Sequence, residues 1–344
     1  MKNQKIGIAM SGGVDSTACA LLLREKYHVK GFFMQLAQPD FQAQKQRVEV
    51  IASDLGIELE VVDLRQEFKK KVLDYFSSSY HEGLTPNPCV ICNKEIKFGL
   101  FLDTILGAGM DKMATGHYAR IESDGERYHL YAGADPKKDQ SYFLSRLCQD
   151  QLRRILFPLG AKIKENIYEL VESHGFDKFR GQESQDICFL DNNSVAAYLE
   201  KDRSNKYETG QILATDGKLL GTHKGLFRYT IGQRRGLGIS SDAPLYVVGI
   251  DKENNNVIAG SNDELFKNNI NIKNLHWLGT RPPDLNREYT VRIRYSHRGG
   301  KARVILHKGE AGEIVFKEAQ RAITPGQFAV IYDDSELMGS GIIV

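Results

Sequence analysis

Ser11-Gly12-Gly13-Val14-Asp15-Ser16 lies between a run that alternates like a buried strand, with Ile6, Ile8 and Met10 inside Lys5 to Met10, and an apolar helical stretch from Thr17 to Lys26. Strand, glycine loop and helix in that order decide the fold class. The glycines let several backbone N–H groups converge on one anion, and the following helix adds the positive end of its dipole. The loop lacks the Gly-Lys-Ser/Thr ending of a Walker A loop, which sets aside the P-loop kinase and GTPase readings. A strand over Val29 to Gln35, a helix carrying Val48, Ile51, Ala52 and Leu55 on one face, and a strand over Leu59 to Asp63 continue the alternation. The pattern predicts an α/β fold with a mostly parallel sheet, helices on both faces and ligands at the carboxyl ends of the strands. A helical pattern over Glu95 to Leu106 and a strand-like Lys112 to Thr115 then lead to Gly116-His117-Tyr118.

Beyond about residue 202 the texture changes to short β-type runs broken by Gly, Asn and Asp, among them Gln211 to Leu213, Tyr246 to Ile250 and Val257 to Ala259. Thr290 to Tyr295, Ala302 to Leu306, Glu313 to Phe316 and Ala329 to Tyr332 suggest a barrel-like module at the end. The expected division is 1–200 as an α/β domain built around the glycine loop, 201–266 as a small central β domain and 267–344 as a barrel-like domain. A chain of 344 residues has room for that number of domains. Apolar residues make up 41% and charged residues 26%, and no apolar run approaches the roughly 20 residues of a membrane span. With no secretory signal pattern at the start, a cytoplasmic location and no membrane partner are expected. A net charge of +2 supplies no global field for nucleic acid, so any RNA contact must come from local patches. Lys224, Arg228, Arg234 and Arg235 form one such cluster. Arg292 and Arg294, alternating with Val291, Ile293 and Tyr295 and followed by Arg298, Lys301 and Arg303, form another, with the arginines expected to point outward.

Five cysteines is an odd number, and Cys89-Val90-Ile91-Cys92 follows Thr85-Pro86-Asn87-Pro88, a stiff loop that delivers two thiols to the start of a helix. A helix N-terminus is expected to lower thiol pKa values. Cys19 and Cys148 read as small apolar core residues, although Cys148 is also a conceivable fourth ligand were zinc to bind. Asp15 is the only acid in the glycine loop and hence the candidate for holding Mg²⁺.

The hexapeptide resembles the PP-loop of the ATP pyrophosphatase superfamily, whose members bind the pyrophosphate of ATP and adenylate an oxygen. The segment from Thr85 to Phe98 and later blocks resemble the tRNA-specific 2-thiouridylases, the MnmA and TrmU group. Those blocks are Lys137 to Leu144, Ser184 to Leu190 and Gly225 to Gly238, so the likeness runs over nearly the whole chain. The resemblance implies ATP-dependent replacement of the C2 oxygen of the wobble uridine by sulfur, yielding AMP and pyrophosphate. It places ATP against Ala9, Met10, Ser11 to Ser16, Met34 and Gly116. Asn87, Pro88 and Cys89 are implied to meet the target base. Lys138, Asp139, Gln140, Arg294 and Tyr295 are implied to meet tRNA. Cys188 would carry a persulfide loaded by a sulfur-donor protein, at the end of a relay from a cysteine desulfurase. Cys92 would release the sulfur or close a transient disulfide. The family commonly has Asp where this chain has Cys89, which makes a [4Fe-4S] cluster on Cys89, Cys92 and Cys188 an alternative sulfur carrier. Two other classes stay open: a PP-loop ligase or amidotransferase, which needs no cysteine pair, and an RNA-binding or iron–sulfur carrier protein with a vestigial loop.

Overall fold

The structure, a computed structural model, describes residues 4–176, 187–190, 194–201, 208–279 and 282–344. Ser184, Gln185 and Asp186 of the expected motif lie outside the described residues. The N-terminal part follows the predicted alternation: β1 (Lys5–Ala9), α1 (Val14–Arg24), β2 (His28–Gln35), α2 (Phe41–Leu55) and β3 (Leu59–Asp63). After them come β4 (Lys112–Ala114), the hairpin β5 (Ala119–Ser123) and β6 (Tyr128–Ala132), and β7 (Ile155–Leu156). The sheet order is β3-β2-β1-β4-β7, and each of its pairings is parallel. Because neighbouring strand residues face opposite sides, Phe32 joins one hydrophobic layer with Phe68, Phe76 and Phe101, whereas Phe33 joins the other with Leu21, Val48 and Ile51. Strand order turns from β2 to β4 on either side of β1, so the carboxyl end of β1 is the switch point where a ligand is expected.

Four strands form the central β unit: β8 (Gly210–Ala214), β9 (Leu219–His223), β10 (Tyr246–Asp251) and β11 (Asn256–Gly260), in the order β10-β11-β8-β9. The last unit has β12 (Phe266–Trp277), β13 (Tyr289–Arg292), β14 (Gly300–Leu306), β15 (Gly312–Arg321), β16 (Phe328–Asp333) and β17 (Glu336–Ile343). Pairing of β12 with both β15 and β17 closes these six into a barrel, which leaves no free edge. Inside it Val291, Ile314, Ala329 and Ile331 are fully shielded from solvent. The barrel does not stand apart. Strand β17 also pairs with β6, Glu336 opposite Tyr131, and the barrel residues Phe328, Val330, Tyr332 and Leu337 enter the same core as Tyr142 and Leu144.

One ion cluster marks this seam. His129 on β6 bonds Glu336 on β17 through Nδ1 at 2.6 Å and Asp124 through Nε2 at 2.9 Å. Burial opposes its charge, but the two carboxylates outweigh that and hold its pKa above the usual value. A raised pKa contributes stability that is whole below about 6.5 and fades as pH rises through the folded value. The melting temperature is therefore expected to fall between about pH 6 and pH 9, with His129→Gln flattening that slope when both are followed by circular dichroism.

Candidate active site

Helix α1 begins at Val14, earlier than the apolar pattern implied, so Val14, Asp15 and Ser16 are its first turn. Its N-cap, Gly13, is extended and contributes no side-chain cap, which leaves the first N–H groups of the helix open to an anion. Gly12 takes φ +77°, a left-handed conformation that favours glycine, and a Cβ there would press on Val48 and Arg47. The hydroxyl of Ser16 accepts from the Ser11 N–H at 3.2 Å and donates to the Gly13 carbonyl at 3.0 Å, pinning the loop across its mouth. Gly116, just past β4, packs so close to α1 that a Cβ would lie 2.7 Å from Asp15 Cβ.

Asp15 is not free to take a metal. Lys164, at the start of the helix Lys164–Glu172, donates to Oδ1 at 2.8 Å and Oδ2 at 2.9 Å, and the Tyr118 hydroxyl donates to Oδ1 at 2.8 Å. A divalent ion at this carboxylate would meet an ammonium group already seated on both oxygens, so the expected Mg²⁺ role of Asp15 does not fit its surroundings.

The second element is the loop before Cys89. The barrel holds it: Thr85 N–H donates to the Pro325 carbonyl at 2.9 Å, and Gln327 Nε2 donates to the Thr85 carbonyl at 2.8 Å. Thr85 Oγ1 also reaches Thr230 Oγ1, of the segment before β10, at 3.3 Å. Asn87 caps the turn Pro88–Ile91, its Oδ1 accepting from Val90 N–H at 3.3 Å. The helix then widens to i→i+5 winding over Cys92–Phe101. Gln151 inserts from outside and donates through Nε2 to the carbonyls of Lys94 and Phe98 at 3.0 and 2.8 Å. In an α-helix residues five apart diverge by about 140°. The wider winding reduces that divergence and carries Lys97 toward the side of Cys92.

All three expected thiols lie within electrostatic reach of one another and of Lys97. Burial pushes Cys92 up to about 12, with Lys97 opposing and Cys188 and Cys89 adding. Burial pushes Cys89 up to about 11, with Cys188 adding and Lys97 opposing. The expected lowering by the helix N-terminus is thus overturned, because desolvation of a thiolate outweighs one turn's dipole. Cys188 is exposed at the surface, yet desolvation by the packing around its sulfur raises its thiol, with Lys97 opposing. All five cysteines are free thiols. Cys19 is buried as expected, whereas Cys148 is half-buried at the start of a helical turn, its N–H donating to Gln151 Oε1 at 3.0 Å. Alkylation at about pH 8 should therefore modify Cys188 at least about tenfold faster than Cys92, as mass-mapped peptides would show.

A cavity of about 890 Å³ joins the two elements. The loop contributes Ser11, Gly13, Val14 and Asp15, and the Cys89 segment contributes Asn87, Pro88 and Cys89 itself. Ile187, the neighbour of Cys188, is on the wall as well. Among the described lining residues Lys97, Lys137, Lys138 and Lys164 accompany one carboxylate, Asp15, so this lining is cationic although the whole chain is nearly neutral. Gln140 lines it while its Oε1 accepts from Tyr118 N–H at 3.0 Å. Tyr295 closes one side, its ring 4.5 Å from that of Phe143. His117 is also on the wall, bonded to Thr115 Oγ1 at 2.6 Å. Burial keeps its pKa well below the usual range, so it is neutral.

Other expected contacts are placed elsewhere. Ala9 and Met10 end β1, with Met10 N–H bonded to the Phe32 carbonyl at 2.8 Å, and Met34 packs against the core from β2. Asp139 is buried and occupied: Oδ1 accepts from Gly133 and Ser141 N–H groups, and Oδ2 accepts from Arg292 at 2.7 Å. Arg294 donates to the Arg321 carbonyl at 3.1 Å. Arg292 therefore turns into the seam between the barrel and the N-terminal part, and Arg294, in the bend beyond β13, onto barrel backbone, correcting the outward display expected of these two, whereas Arg298 and Arg303 are exposed as expected. Lys97, Lys164, Gln151 and Gln327 escaped sequence reading, since nothing local marks a polar residue whose partner lies far along the chain. Among the described residues no three His, Cys, Asp or Glu side chains are arranged to hold a metal ion. That holds for Cys89, Cys92 and Cys188, the three thiols expected for a cluster.

By sequence the chain is similar to the tRNA-specific 2-thiouridylase MnmA of Desulfotalea psychrophila, 54% identical over 338 residues that cover 98% of each chain. It is 45% identical to the protein of that name from Syntrophomonas wolfei, covering 98% of this chain and 99% of the relative. The match from Pelobacter propionicus is 41% identical, covering 98% and 97%. Family models match residues 4–192 as a tRNA methyl transferase HUP domain, 196–261 as a tRNA methyl transferase PRC-barrel domain and 267–343 as an aminomethyltransferase β-barrel domain. No helix among the described residues is long and apolar enough to cross a membrane.

Proposed function

This chain belongs to the tRNA-specific 2-thiouridylase family, and we infer that its cationic cavity uses ATP to exchange the C2 oxygen of the wobble uridine of tRNA for sulfur. The observation that carries the reading is the single cavity lined by both the phosphate loop and Cys89, with Cys188 beside its wall. The matched domain models are described in terms of methyl transfer, but a phosphate cradle opposite thiols supplies what sulfur transfer needs.

In the proposed course, the backbone N–H groups at Gly13 and the first turn of α1 hold the triphosphate, with Lys164 beside them. The uracil C2 oxygen attacks the α-phosphorus, pyrophosphate leaves, and the oxygen becomes part of a good leaving group. The terminal sulfur of a Cys188 persulfide then attacks C2 and AMP departs. Cys92 attacks the Cys188 sulfur, the S–S bond breaks, and the released electron pair completes the C2 thiocarbonyl. A Cys92–Cys188 disulfide remains, which a thiol reductant reopens before a donor protein reloads Cys188. Exposure of Cys188 suits loading from a partner, and burial of Cys92 keeps it from reacting early. Lys97 is the cation placed to favour the Cys92 thiolate as it forms. Lys137, Lys138 and Tyr295 are assigned to tRNA, whereas Asp139 and Arg294 position the loop and barrel. We divide the chain into catalytic residues 1–200, a central unit 201–266 and a tRNA-contacting barrel 267–344.

Mass spectrometry of nucleosides from tRNA treated with enzyme, ATP and a sulfur donor tests the reading. The mass gain of an oxygen-to-sulfur exchange at the wobble uridine is expected, and an amidated or ligated product would overturn it. Iron and sulfide analysis after anaerobic purification separates the carriers: active iron-free protein is expected, and activity that requires bound iron would replace the persulfide by a cluster.

A further inference from the structure

Asn93, on the wall of the cavity and only 5% exposed, has a buried Oδ1 with no hydrogen-bond partner among the described residues. Its other amide atom is committed, Nδ2 donating to the Phe143 carbonyl at 3.3 Å. That bond fixes the orientation of the amide, because flipping it would set two acceptors against each other. A buried acceptor left unsatisfied is costly, and such groups persist where a ligand completes them. Phe143, whose carbonyl holds Asn93, lends its ring to the pair with Tyr295, both on the same cavity wall. A tilted pair of aromatic rings and a buried acceptor on the wall of one cavity match a base that stacks and bears an N–H on its edge.

We propose that Asn93 is a specificity-determining residue whose Oδ1 accepts the N3–H of the target pyrimidine as the base lies against Phe143 and Tyr295. The assignment rests on the uridine reading above. It answers a question that reading leaves open: cytosine also carries a C2 oxygen, so the chemistry alone does not choose uracil. Cytosine offers a lone pair at N3 where uracil offers a donor, and facing Oδ1 it would set acceptor against acceptor. A site built to bond a donor rejects the analogue that lacks it, because its own polar group is then left unpaired.

The test compares two tRNAs that differ only at the wobble base, uridine or cytidine, in equilibrium binding to the parent, Asn93→Ala and Asn93→Asp. The parent should prefer the uridine form by about 10- to 100-fold. Asn93→Ala should bring that preference within about threefold by weakening the uridine form alone, leaving the cytidine form unchanged. Asn93→Asp, which keeps an acceptor but loses the donor to Phe143, should retain a preference for uridine. Equal weakening of both tRNAs in Asn93→Ala, or an unchanged preference, overturns the assignment and leaves a structural role only. Formation of 2-thiouridine by the parent is measured alongside. Its absence would remove the uridine reading itself, a result separate from parental activity with an unaltered base preference in the variants.

Discussion

Cys188→Ser is expected to lower 2-thiouridine formation at least about a thousandfold while ATP binding stays within about twofold of the parent. A serine hydroxyl cannot carry a persulfide sulfur, so the step that supplies the incoming atom has no substitute. The residue is exposed and is not itself a member of the core, so the exchange of sulfur for oxygen should leave folding intact. Quantifying 2-thiouridine by mass spectrometry and ATP binding by calorimetry separates the two effects. Retained thiolation in Cys188→Ser would show that the sulfur travels by another route. Loss of ATP binding would show that Cys188 supports the nucleotide half of the site.

Gly116→Ala carries the second large effect. Its Cβ would lie 2.7 Å from Asp15 Cβ and 3.0 Å from the Asp15 carbonyl carbon, which is backbone and cannot swing aside. The first turn of α1 must move, taking with it the N–H groups assigned above to the phosphates and the Asp15–Lys164 pair. A misplacement of about 1 Å at a reacting group costs on the order of a hundredfold, which is the expected fall in ATP-dependent turnover. Gly107→Ala is the control: it lies in the same domain, has nothing within 4 Å of the added atom, and should behave as the parent. Unchanged ATP affinity in Gly116→Ala, measured by equilibrium binding, would show that the loop tolerates the shift and that contact between β4 and α1 does not set its geometry.

The two halves of the site differ in how far they could be read beforehand. Ser11 to Ser16 announced itself because its meaning is local: a strand period, glycines and a helix period within about twenty residues place a phosphate cradle wherever the rest of the chain goes. Even there the apolar pattern starts the helix late, because polar Asp15 and Ser16 hide its first turn. The thiols were visible as residue types, but their chemistry was not. A helix N-terminus argues for acidic thiols, and only burial against the hydrophobic core reverses the sign. Arg292 and Arg294 looked like a solvated face because alternation cannot tell which surface another domain will cover.

By itself the sequence determined the order of strands and helices, the place of the glycine loop at the end of β1, the barrel-like β module at the carboxyl end and the pair of cysteines on a proline-stiffened loop. Short-range periodicity and turn chemistry carry that much, because each depends on residues a few positions apart. Only the tertiary structure decided that Lys164 neutralises Asp15 across 149 residues, that Gln327 grips the Thr85 loop across 242, and that Arg292 turns inward to Asp139 across 153. Those choices belong to desolvation and long-range hydrogen bonding, which depend on what the folded chain brings together.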